Sequence, residues 1–265
     1  MAATIHQLDV ADQGPVEITV DECGKGRPFL LLHGGAGPGS LVAFAQLFAE
    51  AHPARVFTPT HPGFSGTARP NWLVGAALLA EIYTQLLDEL DLREVTVVGT
   101  SLGGWITAEM ALRGSDRVGA VILIDAIGIT VADHPVANVQ SLTTDELNRR
   151  IFHDPSKLRT TLLGTDPAAA AYTRTVTPAA GEDRQTSPAL PPLLECLHQI
   201  KQPTLVLWGE SDQIVDSTYG RAYAAAIPGA EFQLLTETGH NAFIESPEKL
   251  LQPLWDFAEG TPSSA

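Results

Sequence analysis

The feature that most constrains the fold is a β-branched run that ends in the motif Gly99-Thr100-Ser101-Leu102-Gly103. The run Val95–Val98 predicts a buried strand, and the residues from Ala108 to Leu112 suit a helix. A G-x-S-x-G motif between a strand and a helix holds its serine on a sharp turn, with the hydroxyl exposed above the sheet. We therefore interpret Ser101 as a candidate nucleophile. The alternative is an ordinary loop between a strand and a helix, in which the same motif would have no catalytic role.

Short apolar strands alternate with helical segments along the chain from Phe29 onward. This alternation predicts a parallel sheet with helices on both faces. Ligands of such sheets bind at the carboxyl ends of the strands. Three polar residues fall at such ends in the sequence, namely His33, Ser101 and Asp125.

The alternation of strands and helices stops between residues 126 and 199. This stretch contains helical fragments and a loop rich in Pro, Gly and Ser. We interpret it as a helical cap inserted into a core that residues 1–125 and 200–265 form. The alternation resumes with the apolar strand Thr204–Trp208.

A serine hydroxyl needs a base and an acid to become a good nucleophile, and both have candidates after the cap. His240 lies in a Gly-His-Asn turn after the last predicted strand, so we expect it to be the base. Asp212 follows the preceding strand and can orient that histidine, while Asp125 is the alternative acid. We expect His33 to be a buried structural histidine and His61 to be structural or to face the substrate.

Two backbone N–H groups are needed to hold an oxyanion. Leu102 offers one of them at the start of the helix, and Gly35 in the loop Gly34–Ser40 offers the other, with Ala36 as the second choice. A phosphate site is the alternative for this glycine loop. The loop lacks the Gly-Lys-Ser/Thr ending of a P-loop and the G-x-G-x-x-G pattern of dinucleotide sites.

Composition excludes several partners. The net charge of −15 argues against binding to a nucleic-acid backbone or to an anionic membrane surface. The two cysteines, Cys23 and Cys196, are too few for a disulfide framework and have no metal-ligand spacing, so we expect no metal and no cofactor. No signal peptide or membrane span is visible, and we expect a cytoplasmic protein.

The motifs together resemble those of the α/β-hydrolase fold family. They cover nearly the whole chain outside the cap: His33–Gly39, His61–Gly66, Gly99–Gly104, Trp208–Asp212 and Gly239-His240. The resemblance implies an eight-stranded, mostly parallel sheet, with the cap inserted after a sixth strand at Val118–Asp125. It also implies the chain order nucleophile, acid, base, which Ser101, Asp212 and His240 follow.

The resemblance is less specific about the substrate. The glycine stretch after His33 is similar to that of carbon–carbon bond hydrolases, of esterases and of proline iminopeptidase relatives. Relatives that open epoxides or displace halide use aspartate where this chain has Ser101. Carbon–carbon hydrolases often carry an aromatic residue after the catalytic histidine, where this chain has Asn241.

From these residues we predict a serine hydrolase without a cofactor that cleaves small or medium carboxylic esters. Two alternatives stay open: a carbon–carbon bond hydrolase of the meta-cleavage-product type, and a ligand-binding member of the fold that has no activity. The expected partner is a small-molecule substrate, and a homodimer is possible.

Overall fold

A single twisted sheet organises the computed structural model, which describes residues 2–139, 142–157 and 192–261. Eight strands in these ranges form the sheet in the order β1-β2-β4-β3-β5-β6-β7-β8. β1 pairs antiparallel with β2, and β2 pairs antiparallel with β4, whereas the other pairs are parallel. The predicted eight-stranded, mostly parallel sheet is therefore confirmed. The strands are β1 Ala2–Val10, β2 Gly14–Gly24, β3 Arg27–Leu32, β4 Ala54–Pro59, β5 Val95–Thr100, β6 Val118–Ile124, β7 Thr204–Gly209 and β8 Glu231–Leu235.

Helices pack on both faces of the sheet. The buried residues of α2, α3 and α6 join one apolar cluster, and those of α1, α7 and α8 join the other. No helix in the described ranges is both long and apolar enough to cross a bilayer. The helices are α1 Gly39–Ala51, α2 Ala76–Glu89, α3 Leu102–Leu112, α4 Thr144–Ile151, α5 Leu193–Cys196, α6 Ser217–Ala226, α7 Ala242–Glu245 and α8 Glu248–Gly260.

The central strands β5, β6 and β7 are buried along almost their whole length because both of their faces are covered. In β3, Phe29 and Leu31 pack into one cluster while Leu30 and Leu32 pack into the other, and all four are fully buried. The two-residue period of a strand sends successive side chains to opposite faces. A central strand of this sheet therefore carries apolar side chains on both of its faces.

The register of the parallel strands aligns their carboxyl ends. Leu32 of β3 pairs with Gly99 of β5, and Ile124 of β6 pairs with Leu207 of β7. The residues that follow these strands therefore emerge at one edge of the sheet. His33, Ser101 and Asp125 lie there, as the sequence predicts.

The described part of the predicted cap, 126–199, is largely irregular chain. It contains α4 and α5 and the short 3-10 helices Pro155–Lys157 and Leu197–Gln199. Residues 140–141 and 158–191 lie outside the described residues. Both ends of the segment pack into the core, through Ile127 on one side and Leu193 on the other. The division into core and cap stays a prediction.

Gly103 allows α3 to lie directly on the sheet. A Cβ atom at this position would lie 2.0 Å from the carbonyl oxygen of Leu32. We expect Gly103→Ala to lower the free energy of unfolding by roughly 2–4 kcal/mol, because backbone cannot move aside without disturbing β3. Urea unfolding followed by circular dichroism measures this change.

Gly39→Ala is the matched control. Gly39 begins α1, and a Cβ atom there has no neighbour within 4 Å. This variant should change the free energy of unfolding by less than about 1 kcal/mol. Equal stability of the two variants would show that α3 does not approach β3 this closely.

Candidate active site

Ser101 stands on a strained turn between β5 and α3. Its backbone has φ 54° and ψ −115°, a combination that residues other than glycine rarely adopt. Three backbone hydrogen bonds hold this turn: the Ser101 N–H donates to Ile124 O at 3.0 Å, and Ser101 O accepts the N–H groups of Trp105 at 3.1 Å and Ile127 at 3.2 Å. Strain of this kind costs about 1–3 kcal/mol and persists where neighbouring structure enforces it. The geometry is that of a nucleophile elbow.

The glycine loop after β3 lies against Ser101. A Cβ atom on Gly34 would approach the Ser101 Cβ to 2.9 Å and the Thr100 carbonyl oxygen to 3.1 Å. The next residue, Gly35, is exposed and lies in a turn that the Gly37 N–H closes by donating to Gly34 O at 3.1 Å. A side chain at Gly34 would push this loop away from the serine.

Leu102, the other residue predicted to hold an oxyanion, is the first residue of α3. The first N–H groups of a helix have no partner within the helix and point along its positive end. Leu102 follows Ser101 in the chain, and Gly35 follows Gly34, which lies against Ser101. The oxyanion role of their two N–H groups stays a prediction.

His240 and Asp212 form a hydrogen-bonded pair. The His240 Nδ1 atom lies 2.7 Å from Asp212 Oδ2, and the two side chains are 11% and 0% exposed. The other oxygen of Asp212 accepts the N–H groups of Ile214 at 2.7 Å and Val215 at 3.1 Å. An Nδ1–H bond to the carboxylate leaves Nε2 as the basic nitrogen of the ring.

Asp125, the alternative acid, does not bind the histidine. It is fully buried, and its Oδ1 atom accepts the N–H of Gly209 at 2.7 Å. Burial and the nearby charge of Asp212 raise the pKa of the Asp125 carboxyl well above its usual range. The structure therefore places Asp212, and not Asp125, against His240.

His33 and His61 form a second buried pair, with ring centroids 3.7 Å apart. The His33 Nδ1 atom lies 2.8 Å from Gly34 O, and its Nε2 atom accepts the N–H of His61 at 3.1 Å. The His61 Nε2 atom lies 2.8 Å from His33 O, and its Nδ1 atom lies 2.5 Å from the Tyr83 hydroxyl. Each ring thus has one donating and one accepting nitrogen, which is the pattern of a neutral imidazole. The structural interpretation of His33 is confirmed.

Residues of the predicted cap, together with Glu245, hold the histidine loop, and none of them was predicted from the sequence. The carbonyl of Ile151 accepts the His240 N–H at 2.6 Å. The Glu245 carboxylate accepts three N–H groups, from Gly239 at 2.7 Å, His153 at 3.1 Å and Asp154 at 2.8 Å. No local motif marks these contacts, because they join segments about 90 residues apart. Glu245 lies five residues after His240, and this short spacing is the only signal in the sequence.

No metal centre is present in the described ranges, which contain no group of three or more His, Cys, Asp or Glu side chains arranged to hold an ion. Cys23 is half-buried and donates its Sγ–H to Ala45 O at 3.4 Å. Burial raises the pKa of this thiol, which disfavours the reactive thiolate.

Comparison with known proteins gives one family. The sequence profile of the family described as "alpha/beta hydrolase fold" matches residues 27–247. The 2-hydroxymuconate semialdehyde hydrolase of Pseudomonas putida is 25% identical over 249 residues, covering 88% of each chain. A structure described as a putative aryl esterase from Burkholderia cenocepacia superposes with a TM-score of 0.77 at 21% identity, covering 98% of this chain and 100% of that one.

A second solved structure has the same fold and a different described substrate. The meta-cleavage product hydrolase from Pseudomonas fluorescens IP01 superposes with a TM-score of 0.70 at 23% identity, covering 93% of this chain and 95% of that one. At these identities the two structures show the fold and leave the substrate of this chain open.

The buried histidine pair makes the protein sensitive to acid. Burial lowers the pKa of His61 to about 4 and that of His33 well below its usual value. Since the unfolded chain binds these protons first, stability falls as the pH decreases from about 6.5 towards 4. Between pH 7 and pH 5 the loss in free energy of unfolding from His61 alone is about 2 kcal/mol.

Urea unfolding at pH 7 and pH 5, on the native chain and on His61→Gln, tests this prediction. Glutamine keeps a donor for His33 O but does not titrate. The variant should lose less stability than the native protein over this interval. If both lose the same amount, His61 is not the titrating group.

Proposed function

This chain belongs to the alpha/beta hydrolase fold family, and on that premise we propose that it is a serine hydrolase that cleaves small or medium carboxylic esters through an acyl-enzyme. The proposed nucleophile is Ser101, the base is His240, and the acid that orients it is Asp212. The proposed oxyanion donors are the N–H groups of Gly35 and Leu102. This reaction needs no cofactor, because the nucleophile, the base and the oxyanion donors all belong to the chain.

The hydrogen bond between His240 Nδ1 and Asp212 Oδ2 at 2.7 Å is the observation that carries the proposal. A carboxylate on Nδ1 leaves His240 Nε2 to act as the base, and the strained Ser101 at the same edge of the sheet is the proposed nucleophile. Asp212 is fixed in turn by two backbone N–H groups. A carboxylate held in this way keeps its charge and direction while the imidazolium forms and disappears.

In the proposed first half-reaction, His240 Nε2 takes the proton of Ser101 as its Oγ attacks the ester carbonyl. The carbonyl oxygen becomes an oxyanion between the N–H groups of Gly35 and Leu102. Removal of one such donor typically lowers kcat by about 10²–10³-fold. His240 then gives its proton to the leaving alcohol as the tetrahedral intermediate collapses.

In the second half-reaction, a water molecule replaces the alcohol. His240 takes a proton from this water, whose oxygen attacks the acyl-enzyme carbonyl. The same donors hold the second oxyanion, and the proton returns to Ser101 Oγ as the acid is released. Asp212 remains ionised throughout and stabilises the imidazolium of both steps.

Substitution of the acid tests the assignment of the triad. Asp212→Asn should fold as the native chain does and should lower kcat/KM for p-nitrophenyl acetate by about 10⁴-fold, because the histidine loses its charged partner. Ser101→Ala should lower it by about 10⁶-fold. The matched control is Asp216→Asn. Asp216 caps α6 four residues later, and asparagine is an equally good cap.

A fluorophosphonate probe tests the nucleophile without a known substrate. We expect a covalent adduct on the peptide that contains Ser101, and none in Ser101→Ala. A folded native protein that remains unlabelled would contradict the proposal and favour a member of the fold that only binds ligands.

The comparison with the Pseudomonas putida protein favours a second candidate function. That relative is a 2-hydroxymuconate semialdehyde hydrolase, and this chain matches it along most of its length. A carbon–carbon hydrolase would use the same Ser101, His240 and Asp212, but it must first ketonise a dienol substrate. Asn241 follows the base and is almost buried at 7% exposure, where such hydrolases often carry an aromatic ring. We therefore rank the ester substrate first.

Parallel assays separate the two candidates. The kcat/KM for p-nitrophenyl esters of increasing acyl length is compared with that for a coloured ring-fission dienol, whose absorbance disappears on cleavage. We expect the higher value for an ester. Faster cleavage of the dienol, abolished by Ser101→Ala, would assign the carbon–carbon activity instead.

A further inference from the structure

Asp125 is a buried carboxyl that the proposed reaction does not use. It follows β6 and is 0% exposed. Its backbone N–H donates to Leu207 O at 3.1 Å, and its Oδ1 atom accepts the Gly209 N–H at 2.7 Å. These two contacts fix the residue to β7, the strand that leads to Asp212.

The second oxygen of this carboxyl has no donor. Asp125 Oδ2 is the buried side-chain oxygen that lacks a hydrogen-bond partner among the described residues. A buried ionised carboxylate needs several donors to offset the loss of its hydration, and a single N–H group is a poor replacement. As an anion, Asp125 would be unstable in this position.

Asp212 is close enough to Asp125 for a hydrogen bond between the two side chains and for a charge interaction, and it has the opposite surroundings. Its two oxygens accept three N–H groups, from Ile214, Val215 and His240. A carboxylate can accept about four hydrogen bonds, so one acceptor position remains. Asp212 is therefore the stable anion of the two. Burial first, and the charge of Asp212 next, raise the pKa of Asp125, while the Gly209 N–H opposes this rise.

We propose that Asp125 is a neutral carboxylic acid whose Oδ2–H donates to the Asp212 carboxylate, which makes Asp125 a positioning residue for the Asp212–His240 pair. The proton gives the unpartnered oxygen an acceptor and gives Asp212 its fourth donor. One negative charge is then shared by two buried carboxyl groups. From the sequence alone Asp125 is an alternative to Asp212, whereas here it is the support of Asp212.

The role of this support in catalysis rests on the proposed function. The donated hydrogen bond limits rotation of the Asp212 carboxylate, which must keep Oδ2 on His240 Nδ1. It also disperses the charge of Asp212. Without the donor, the charge would concentrate on the oxygens that face the histidine. The titratable groups involved are Asp212, which faces Asp125 directly, and His240, which acts through Asp212.

Difference infrared spectroscopy on the full chain tests the protonation state directly. We expect the native protein at pH 7 to show the carbonyl stretch of a protonated carboxyl, and Asp125→Asn to lack it. The matched control is Asp116→Asn, whose carboxylate lies on the surface at 85% exposure. A band that survives in Asp125→Asn would overturn the proposal. This readout needs no turnover, so its failure is distinct from a failure of the proposed function.

Kinetics of two variants test the positioning role. Asparagine keeps an oxygen for the Gly209 N–H and an N–H donor for Asp212, whereas alanine keeps neither. We expect Asp125→Ala to lower kcat by about 10–100-fold with a small effect on KM, and Asp125→Asn to recover most of this loss. Thermal unfolding of both variants shows whether each one is folded at the assay temperature.

The pH profile distinguishes a neutral Asp125 from an anionic one. With a neutral Asp125, Asp125→Asn changes no charge, so the acid limb of kcat/KM stays at the native pH. Removal of an anion would instead move this limb to lower pH. Such a shift, or a lower activity for Asp125→Asn than for Asp125→Ala, would overturn the proposal.

Discussion

The hydrogen-bonded register of the parallel strands is the constraint on which the site depends. Because Leu32 is level with Gly99, and Ile124 with Leu207, four strands end at the same edge of the sheet. Each strand is buried on both faces, so a shift of register would expose apolar side chains or bury polar ones. The positions of the serine, the glycine loop and the two aspartates at this edge are thus consequences of core packing.

The charge states of the buried histidines and aspartates at this edge depend on their hydrogen-bond partners. The histidines behind the glycine loop are neutral, and each of their nitrogens has a partner. Among the described residues, Asp212 has three N–H donors, while Asp125 has one. Protein dipoles therefore stabilise one anion and exclude a second. In the proposed reaction, a preorganised environment of this kind needs no reorganisation when His240 becomes charged.

Contacts from the predicted cap region complete the histidine loop. A Cβ atom at Gly239 would lie 2.1 Å from the Ile151 carbonyl oxygen, so the two segments meet backbone to backbone. Glu245 joins the same segments through three N–H groups. Movement of the chain after α4 would therefore be transmitted to His240. Hydrogen bonds thus link the segment that borders the site to the residue proposed as its base.

The sequence by itself determines the fold and the candidate residues of the site. Apolar runs separated by helical segments specify a parallel sheet, and the glycines around Ser101 specify a close approach of helix to strand, which Gly103 makes at Leu32. Only the tertiary structure shows that Asp212, and not Asp125, binds His240. It also shows that Glu245 accepts the Gly239 N–H and so holds the histidine loop. Both depend on contacts between segments distant in the chain, and local pattern carries no information on such contacts. The protonation of a buried carboxyl depends in the same way on how many donors the fold brings to it.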